Sequence, residues 1–287
     1  MSAESSTAIL AFGARAPGRL DRAMIAITSR MPNNWLGLKL AMAFRKVVTL
    51  RLRSGGALDV ERWGLRMRLY PLDNGCEKNL LFTPQMYETV ERAELAADIA
   101  HVNAEGRAFI FVDIGANVGL FSMYVASAAG GHAQIFAIEP EPGNMARFEF
   151  NLHANPSLPV RTYAVALGEE EGEVAVVLHP RDRGGTRTRD PTNASDNAVR
   201  VPCHPLLAFL RGEKITAIDA LKIDVEGAED KVLVPFFRDA PESLWPAMIV
   251  IEDSRHEWAS DLFALLSAKG YVETVRSKQN VILRRAV

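Results

Sequence analysis

The residues able to do chemistry fall into a few short runs. Asp113-Ile-Gly-Ala-Asn-Val-Gly119 joins a carboxylate to a glycine turn, Ile138-Glu-Pro140 presents a second carboxylate, and Asp224-Val-Glu226 presents two more, with Glu252-Asp253 and His256 beyond them. Each of these acids follows or ends an apolar, β-forming run, among them Phe109 to Val112 and Ile135 to Ile138. That pattern puts them at the carboxyl ends of buried parallel strands, where open α/β sheets bind their ligands. A strand, a glycine turn and a helix over Leu120 to Ala129 together make a nucleotide-type cradle: the turn admits the ligand to the backbone and the helix start offers unpaired N–H groups.

The glycine spacing narrows the ligand. The dinucleotide pattern G-x-G-x-x-G would need glycines where this chain has Asn117 and Leu120. Asp113, two residues before Gly115, would oppose a pyrophosphate and attract a cation. Glu139 stands 26 positions after Asp113 (139 − 113), where an acid can take both ribose hydroxyls. S-adenosylmethionine carries a sulfonium and an amino group, so acids at both strand ends favour it over a dinucleotide. The expected cofactor residues are Asp113, Gly115, Ala116, Asn117, Gly119, Glu139 and Pro140.

Together with Asn151-Leu152 and Asn155, these motifs resemble those of FkbM-type methyltransferases, and Leu221-Lys-Ile-Asp-Val-Glu-Gly-Ala-Glu229 is the most specific match. The resemblance runs from about Phe109 to the C-terminus. It implies a Rossmann-like class I methyltransferase fold: α/β, with a mostly parallel seven-stranded sheet, helices on both faces and an antiparallel edge. It also implies methyl transfer to an oxygen of a sugar, glycan or small metabolite. One departure stands out. Many members carry a Thr-Leu-Asp element shortly before the Lys-Ile-Asp run, whereas His204-Pro-Leu-Leu207 has no acid.

Methylating an alcohol requires the oxygen to be aligned with the methyl group and relieved of its proton. Asp224 is the favoured base or hydroxyl acceptor, with Glu226 as its partner and His256 as an alternative base. The competing structural reading makes Asp224 and Glu226 caps for a helix over Ala228 to Phe237. Lys222 lies within a strand, where a nearby acid would neutralise it. No His/Cys cluster is present and no metal is expected, although convergence of Asp224, Glu226 and Glu252 would suit magnesium or calcium. Two other classes compete: a nucleic-acid methyltransferase holding phosphates on its basic N-terminal segment, and an inactive cofactor-binding interaction protein. Neither an Asn-Pro-Pro-Tyr-type motif nor a compact nucleic-acid module is present, and the strand-end acids favour an active enzyme.

The elements that must position these groups span 287 residues at 48% hydrophobic content, enough for one large α/β domain and an accessory segment. A net charge of −2 gives no global pull toward nucleic acid. Cys76 and Cys203 match no metal-ligand spacing and read as reduced thiols. With no signal-like N-terminus and no long uncharged run, the expected location is the cytoplasm. Residues 1–18 read as a flexible N-terminus, 19–103 as a basic helical and hairpin extension or lid, and 104–287 as the catalytic domain. From Arg15 to Arg53 nine basic residues face one acid, Asp21, a local charge of +8. Helices are expected over Arg19 to Arg30 and Trp35 to Leu50, as a packed pair with a solvated basic face or as a surface for peripheral contact with anionic lipid or a polyanion. Ala57 to Leu72 reads as a hairpin turning at Trp63-Gly64, Gln85 to Val102 as a helix, and His179 to Asn197 as a long loop without regular structure.

Overall fold

The computed structural model describes residues 10–52, 56–177, 183–185, 187–189 and 198–286, in two compact units, Met1–Tyr87 and Glu88–Val287. The expected boundary near residue 103 therefore moves to 87. The reason is that the helix Thr89–Ala104 (α4, below) buries Leu95, Ile99 and Val102 in the core of the second unit.

In the first unit, α1 (Arg19–Thr28) pairs with α2 (Trp35–Arg51), whose N-cap Asn34 accepts from the Gly37 N–H at 2.8 Å. β1 (Leu58–Arg62) and β2 (Leu65–Leu69) form the expected hairpin, with Trp63 and Gly64 at positive φ in its turn. A short helix, α3 (Gly75–Phe82), follows the hairpin, a stretch for which the sequence predicts no regular element. The flexible segment expected over residues 1–18 is corrected for its described part. The buried Asp59–Arg68 pair, 2.7 Å apart, accepts the Gly13 and Arg15 N–H groups and donates to the carbonyls of Leu10 and Ala11. A buried ion pair needs such extra hydrogen bonds to offset its desolvation, and here the incoming chain supplies them.

The second unit begins with α4 (Thr89–Ala104), then alternates β3 (Phe109–Ile114), α5 (Leu120–Ala128), β4 (Ala133–Ile138), α6 (Pro142–His153) and β5 (Val160–Tyr163). β6 (Ala166–Gly168), β7 (Gly172–Val177), β8 (Arg187–Arg189) and β9 (Ala198–Pro205) form a separate four-stranded sheet, ordered β6-β9-β7-β8. α7 (Leu206–Gly212), β10 (Ala220–Ile223), α8 (Glu229–Asp239), β11 (Met248–Glu252), α9 (Leu262–Ala268), β12 (Tyr271–Arg276) and β13 (Asn280–Arg285) complete the chain. Within this sheet β7 falls where the sequence predicts a strand over Glu173 to Leu178, whereas β6, β8 and β9 have no predicted counterpart. Of the loop expected over 179–197, only 183–185 and 187–189 are described, and the latter pair antiparallel with β7.

The main sheet has seven strands ordered β12-β13-β11-β10-β3-β4-β5, all parallel except β13. This is the expected fold class. Alternate residues of its strands feed two cores. Phe109, Phe111, Ile135, Ala220 and Val250 meet α4 and α5 on one face. Val112, Ile114, Leu221, Ile223 and Ile251 meet α7, α8 and α9 on the other. Because both faces are covered at the centre of the sheet, Phe109 to Val112, Ile135 to Ile138 and Met248 to Ile251 read as unbroken apolar runs.

Candidate cofactor and active site

The carboxyl ends of β3, β4 and β10 surround one cavity, lined among others by Gly115, Asn117, Glu139, Pro140, Asp224 and Glu226. Six of the ten predicted site residues thus share one wall. The turn after β3 is built for close approach. The Gly115 and Ala116 N–H groups both donate to the Ile138 carbonyl at 2.9 Å, and Gly115, Asn117 and Gly119 all have positive φ. A Cβ on Gly119 would sit 2.0 Å from the Phe148 ring, so this glycine admits α6 rather than the ligand. Ala116 and Gly119 are therefore structural members of the turn and do not line the cavity.

Glu139 is 5% exposed and takes one backbone N–H on each oxygen, from Glu141 on Oε1 at 2.9 Å and from Asn117 on Oε2 at 2.8 Å. A carboxylate oxygen has two acceptor sites; Oε1 also accepts from the Asn144 amide at 3.5 Å, so the site left for a ligand hydroxyl is on Oε2. Burial pushes the Glu139 carboxyl up to about 7, against the opposing pull of those two N–H groups. Next to it, Glu141 caps α6 through the Gly143 and Asn144 N–H groups and pairs with Arg183 at 3.0 Å. Pro142 at the first helical position completes that start.

Asp113 lies below the cavity wall rather than in it. It is fully buried, its Oδ2 accepts from the Ser122 hydroxyl at 2.6 Å, and its Oδ1 has no hydrogen-bond partner. Burial raises its pKa, with Lys222 pulling the other way. In the sheet register Lys222 is the partner of Asp113 on the neighbouring strand, on the α4–α5 face. Lys222 is 4% exposed, donates to Asp224 Oδ2 at 3.1 Å and stands 5.1 Å from the Phe121 ring centre. Burial works against its charge, but Asp224, Asp113 and Glu88 outweigh that and raise its pKa. The neutralising acid expected for this strand lysine is thus Asp224, with Asp113 beside it.

Asp224 is about one-third exposed (34%) on the cavity wall, and among the described residues its Oδ1 takes no hydrogen bond. It does not cap α8: the N-cap is Ala228, with no side-chain bond. Glu229 closes this loop instead, accepting the Val225 and Gly227 N–H groups on Oε1 and the Trp258 indole N–H on Oε2 at 2.7 Å. Glu226 lines the cavity at φ +56°, a left-handed conformation that costs a non-glycine residue about 1–2 kcal/mol and is retained where surrounding structure enforces it. Glu252 is half-buried, and its pKa is raised by burial and by the neighbouring Asp224 charge.

His256 falls outside the site. Its side chain is 75% exposed and lies 3.5 Å from Glu257. Asp253 also turns outward, to Arg255 and Arg276. Among the described residues no group of three His, Cys, Asp or Glu side chains has metal-holding geometry, so Asp224, Glu226 and Glu252 do not converge as a cation site.

Two contributors escaped the sequence reading. Asn144, 2% exposed on the cavity wall, holds the Arg183 carbonyl through Nδ2 at 3.2 Å and leaves its Oδ1 without a partner. Its place in the first turn after Pro142 was the available signal. Val165, Ala166 and Leu167 supply an apolar wall at β6, a strand with no predicted counterpart.

The chain is similar in sequence to known methyltransferases. A family model described as the methyltransferase FkbM domain matches residues 113–273. "Methyltransferase 1" of Beauveria bassiana (strain ARSEF 2860) is 28% identical over 187 residues, covering 57% of this chain and 72% of its own. "Methyltransferase sdnD" of Sordaria araneosa is 29% identical over 222 residues, 60% of this chain and 84% of its own. Among solved structures, the METTL16 methyltransferase domain superposes with a TM-score of 0.49 at 13% identity, covering 96% of this chain and 99% of that one.

The cofactor this family implies is S-adenosylmethionine, and the cavity fits it. Glu139 keeps an acceptor site on Oε2 for a ribose hydroxyl. Asp224 and Glu226 give the wall a negative character suited to a cationic ligand, and the charge of Arg183 is engaged by Glu141. With a cradle that admits no Cβ at Gly115, acids at two successive strand ends and more than half the chain matched by the family model, this protein belongs to the FkbM family of S-adenosylmethionine-dependent methyltransferases.

Proposed function

We propose that the chain methylates a hydroxyl oxygen of a sugar, glycan or other small hydroxylated metabolite, and that Asp224 receives the hydroxyl proton. The observation that carries this reading is the state of Asp224: a cavity-wall carboxylate with one oxygen held by Lys222 and the other open. Bound S-adenosylmethionine supplies an electrophilic methyl group. Glu139 and Asn144 hold polar groups of the ligand, the turn from Gly115 to Gly119 shapes the cradle, and Lys222 orients Asp224. Asp224 accepts the acceptor's O–H and takes its proton as the oxygen becomes nucleophilic. The acidic wall weighs against a polyphosphate acceptor, because phosphates would meet Glu139, Asp224 and Glu226.

The test is methyl transfer from labelled donor to panels of sugars, glycans and small alcohols, with amines and oligonucleotides alongside. Products should carry a base-stable methyl ether. Label appearing only in amine or nucleic-acid products would overturn the proposal.

A further inference from the structure

The two helices of the first unit bear a surface the methyl-transfer site does not use. α2 buries its small residues and exposes its large ones. Gly37, Ala41 and Val48 face inward, while Trp35, Leu36, Leu40, Met42, Val47 and Leu50 are exposed, Trp35 at 68% and Leu50 at 76%. A helix that merely packs on a water-soluble domain turns its large apolar side chains to the core. Fourteen large apolar side chains are exposed among the described residues, and seven of them lie on these 17 residues, so the exposure is one patch rather than scatter.

The charge on the same helix says what would cover it. α2 carries Lys39, Arg45, Lys46 and Arg51 and no acid. Asp21, the sole acid from Arg19 to Arg51, is engaged by Arg51 at 2.9 Å. Two copies meeting through this face would bring like charges together, whereas an anionic lipid surface is complementary to both its charge and its apolarity. Lys39 lies 4.2 Å from the Trp35 ring centre, so its stem runs along apolar surface while its ammonium can reach headgroups. Four cations on 17 residues suit a helix lying in the interface rather than one crossing it, and no described helix is long and apolar enough to cross a membrane.

We infer that α2 is a peripheral docking face for anionic lipid bilayers, with the helix in the interfacial plane and Trp35, Leu36, Val47 and Leu50 among the inserted side chains. The experiment is co-sedimentation of the 287-residue chain with phosphatidylcholine vesicles with and without phosphatidylserine. The protein should pellet with the anionic vesicles at low salt and dissociate as ionic strength rises from about 0.1 to about 1 M, where the screening length shrinks from about 10 to about 3 Å. The triple variant Leu36→Ser/Val47→Ser/Leu50→Ser should bind at least about tenfold more weakly, as should Lys39→Glu/Lys46→Glu, with S-adenosylmethionine affinity retained in both as the measure of an intact fold. Pelleting no greater with anionic than with neutral vesicles would overturn the inference. So would a self-associated species in sedimentation equilibrium that the triple variant dissolves, since the face would then belong to a second copy.

Discussion

Gly115 lies so close to Asp224 that a Cβ on it would stand 1.9 Å from the Asp224 carbonyl oxygen. The cofactor turn and the Lys-Ile-Asp-Val-Glu-Gly run are therefore one packed object, joined backbone to backbone. Gly115→Ala meets backbone rather than a flexible side chain, at φ +78°. It should lose more than about 2 kcal/mol of stability, beyond the cost of a left-handed alanine alone, together with cofactor binding. Gly130→Ala is the control: φ is +60° and nothing lies within 4 Å of the added carbon. It should cost only about 1–2 kcal/mol. Equal melting shifts for the two variants would show that the contact with Asp224 does not matter.

The buried Glu139 predicts a pH signature in the cofactor-free protein. Its folded-state pKa, about 7, lies above its ordinary value of 4.5. Between those values the folded state holds more protons than the unfolded, so this group's contribution is fully present below pH 4.5 and lost as pH rises through about 7. Subtracting Glu139→Gln from wild type isolates it. The difference in unfolding free energy should fall by the order of ~3 kcal/mol between those limits and be flat above them. A pH-independent difference in denaturant titrations would show that Glu139 is ordinary.

How much of this was legible beforehand depends on where the information resides. The main sheet was legible because its inner strands β3, β4 and β11 are apolar on both faces, and the cradle because its glycines sit at fixed distances from Asp113 and Glu139. Of the second sheet only β7 was, from the run Glu173 to Leu178. β9 contains Pro202 and ends at Pro205, which argue against a strand, yet Pro202 is simply the register partner of Glu173 on β7. The Asp113–Lys222 adjacency needs the order of β3 and β10, a long-range property that no local spacing carries. His256 was close to a strand end in sequence, but the turn after β11 carries it into solvent. Glu229 was visible only as the last letter of a motif, and its bonds to Val225, Gly227 and Trp258 show that it holds the loop's shape.

Lys222 stands between Asp113 and Asp224 as a buried countercharge. Lys222→Met keeps much of the apolar stem beside Phe121 and removes the charge. Taking one member from a buried charged set costs about 3–5 kcal/mol, because the remaining charge is left uncompensated. The Asp113 pKa is raised by burial, and losing Lys222 removes a group that opposes the rise. Stability from a raised acid is present at low pH and lost as pH increases, so the variant's deficit should be smaller at acidic than at neutral pH. Melting curves at both pH values check this, and a deficit that grows on acidification would contradict the assigned role.

Asp224 provides the sharpest test of the proposed chemistry, because its structural duties are few. It caps no helix, the N–H groups of its loop are taken by Glu229, and its only side-chain bond among the described residues is to Lys222. Asp224→Asn retains an oxygen for Lys222 and the size of the side chain but takes one countercharge from buried Lys222, so a stability loss of up to about 3 kcal/mol is expected, less than for Lys222→Met because Asp113 remains, while cofactor affinity should change little. If Asp224 takes the proton, kcat should fall by about 10²–10⁴-fold with little change in KM. His256→Ala, at an exposed position away from the cavity, should leave both constants unchanged. Full activity in Asp224→Asn would remove it as the base and direct attention to Glu226 on the same wall, or to Glu252, whose raised pKa suits proton transfer near neutral pH.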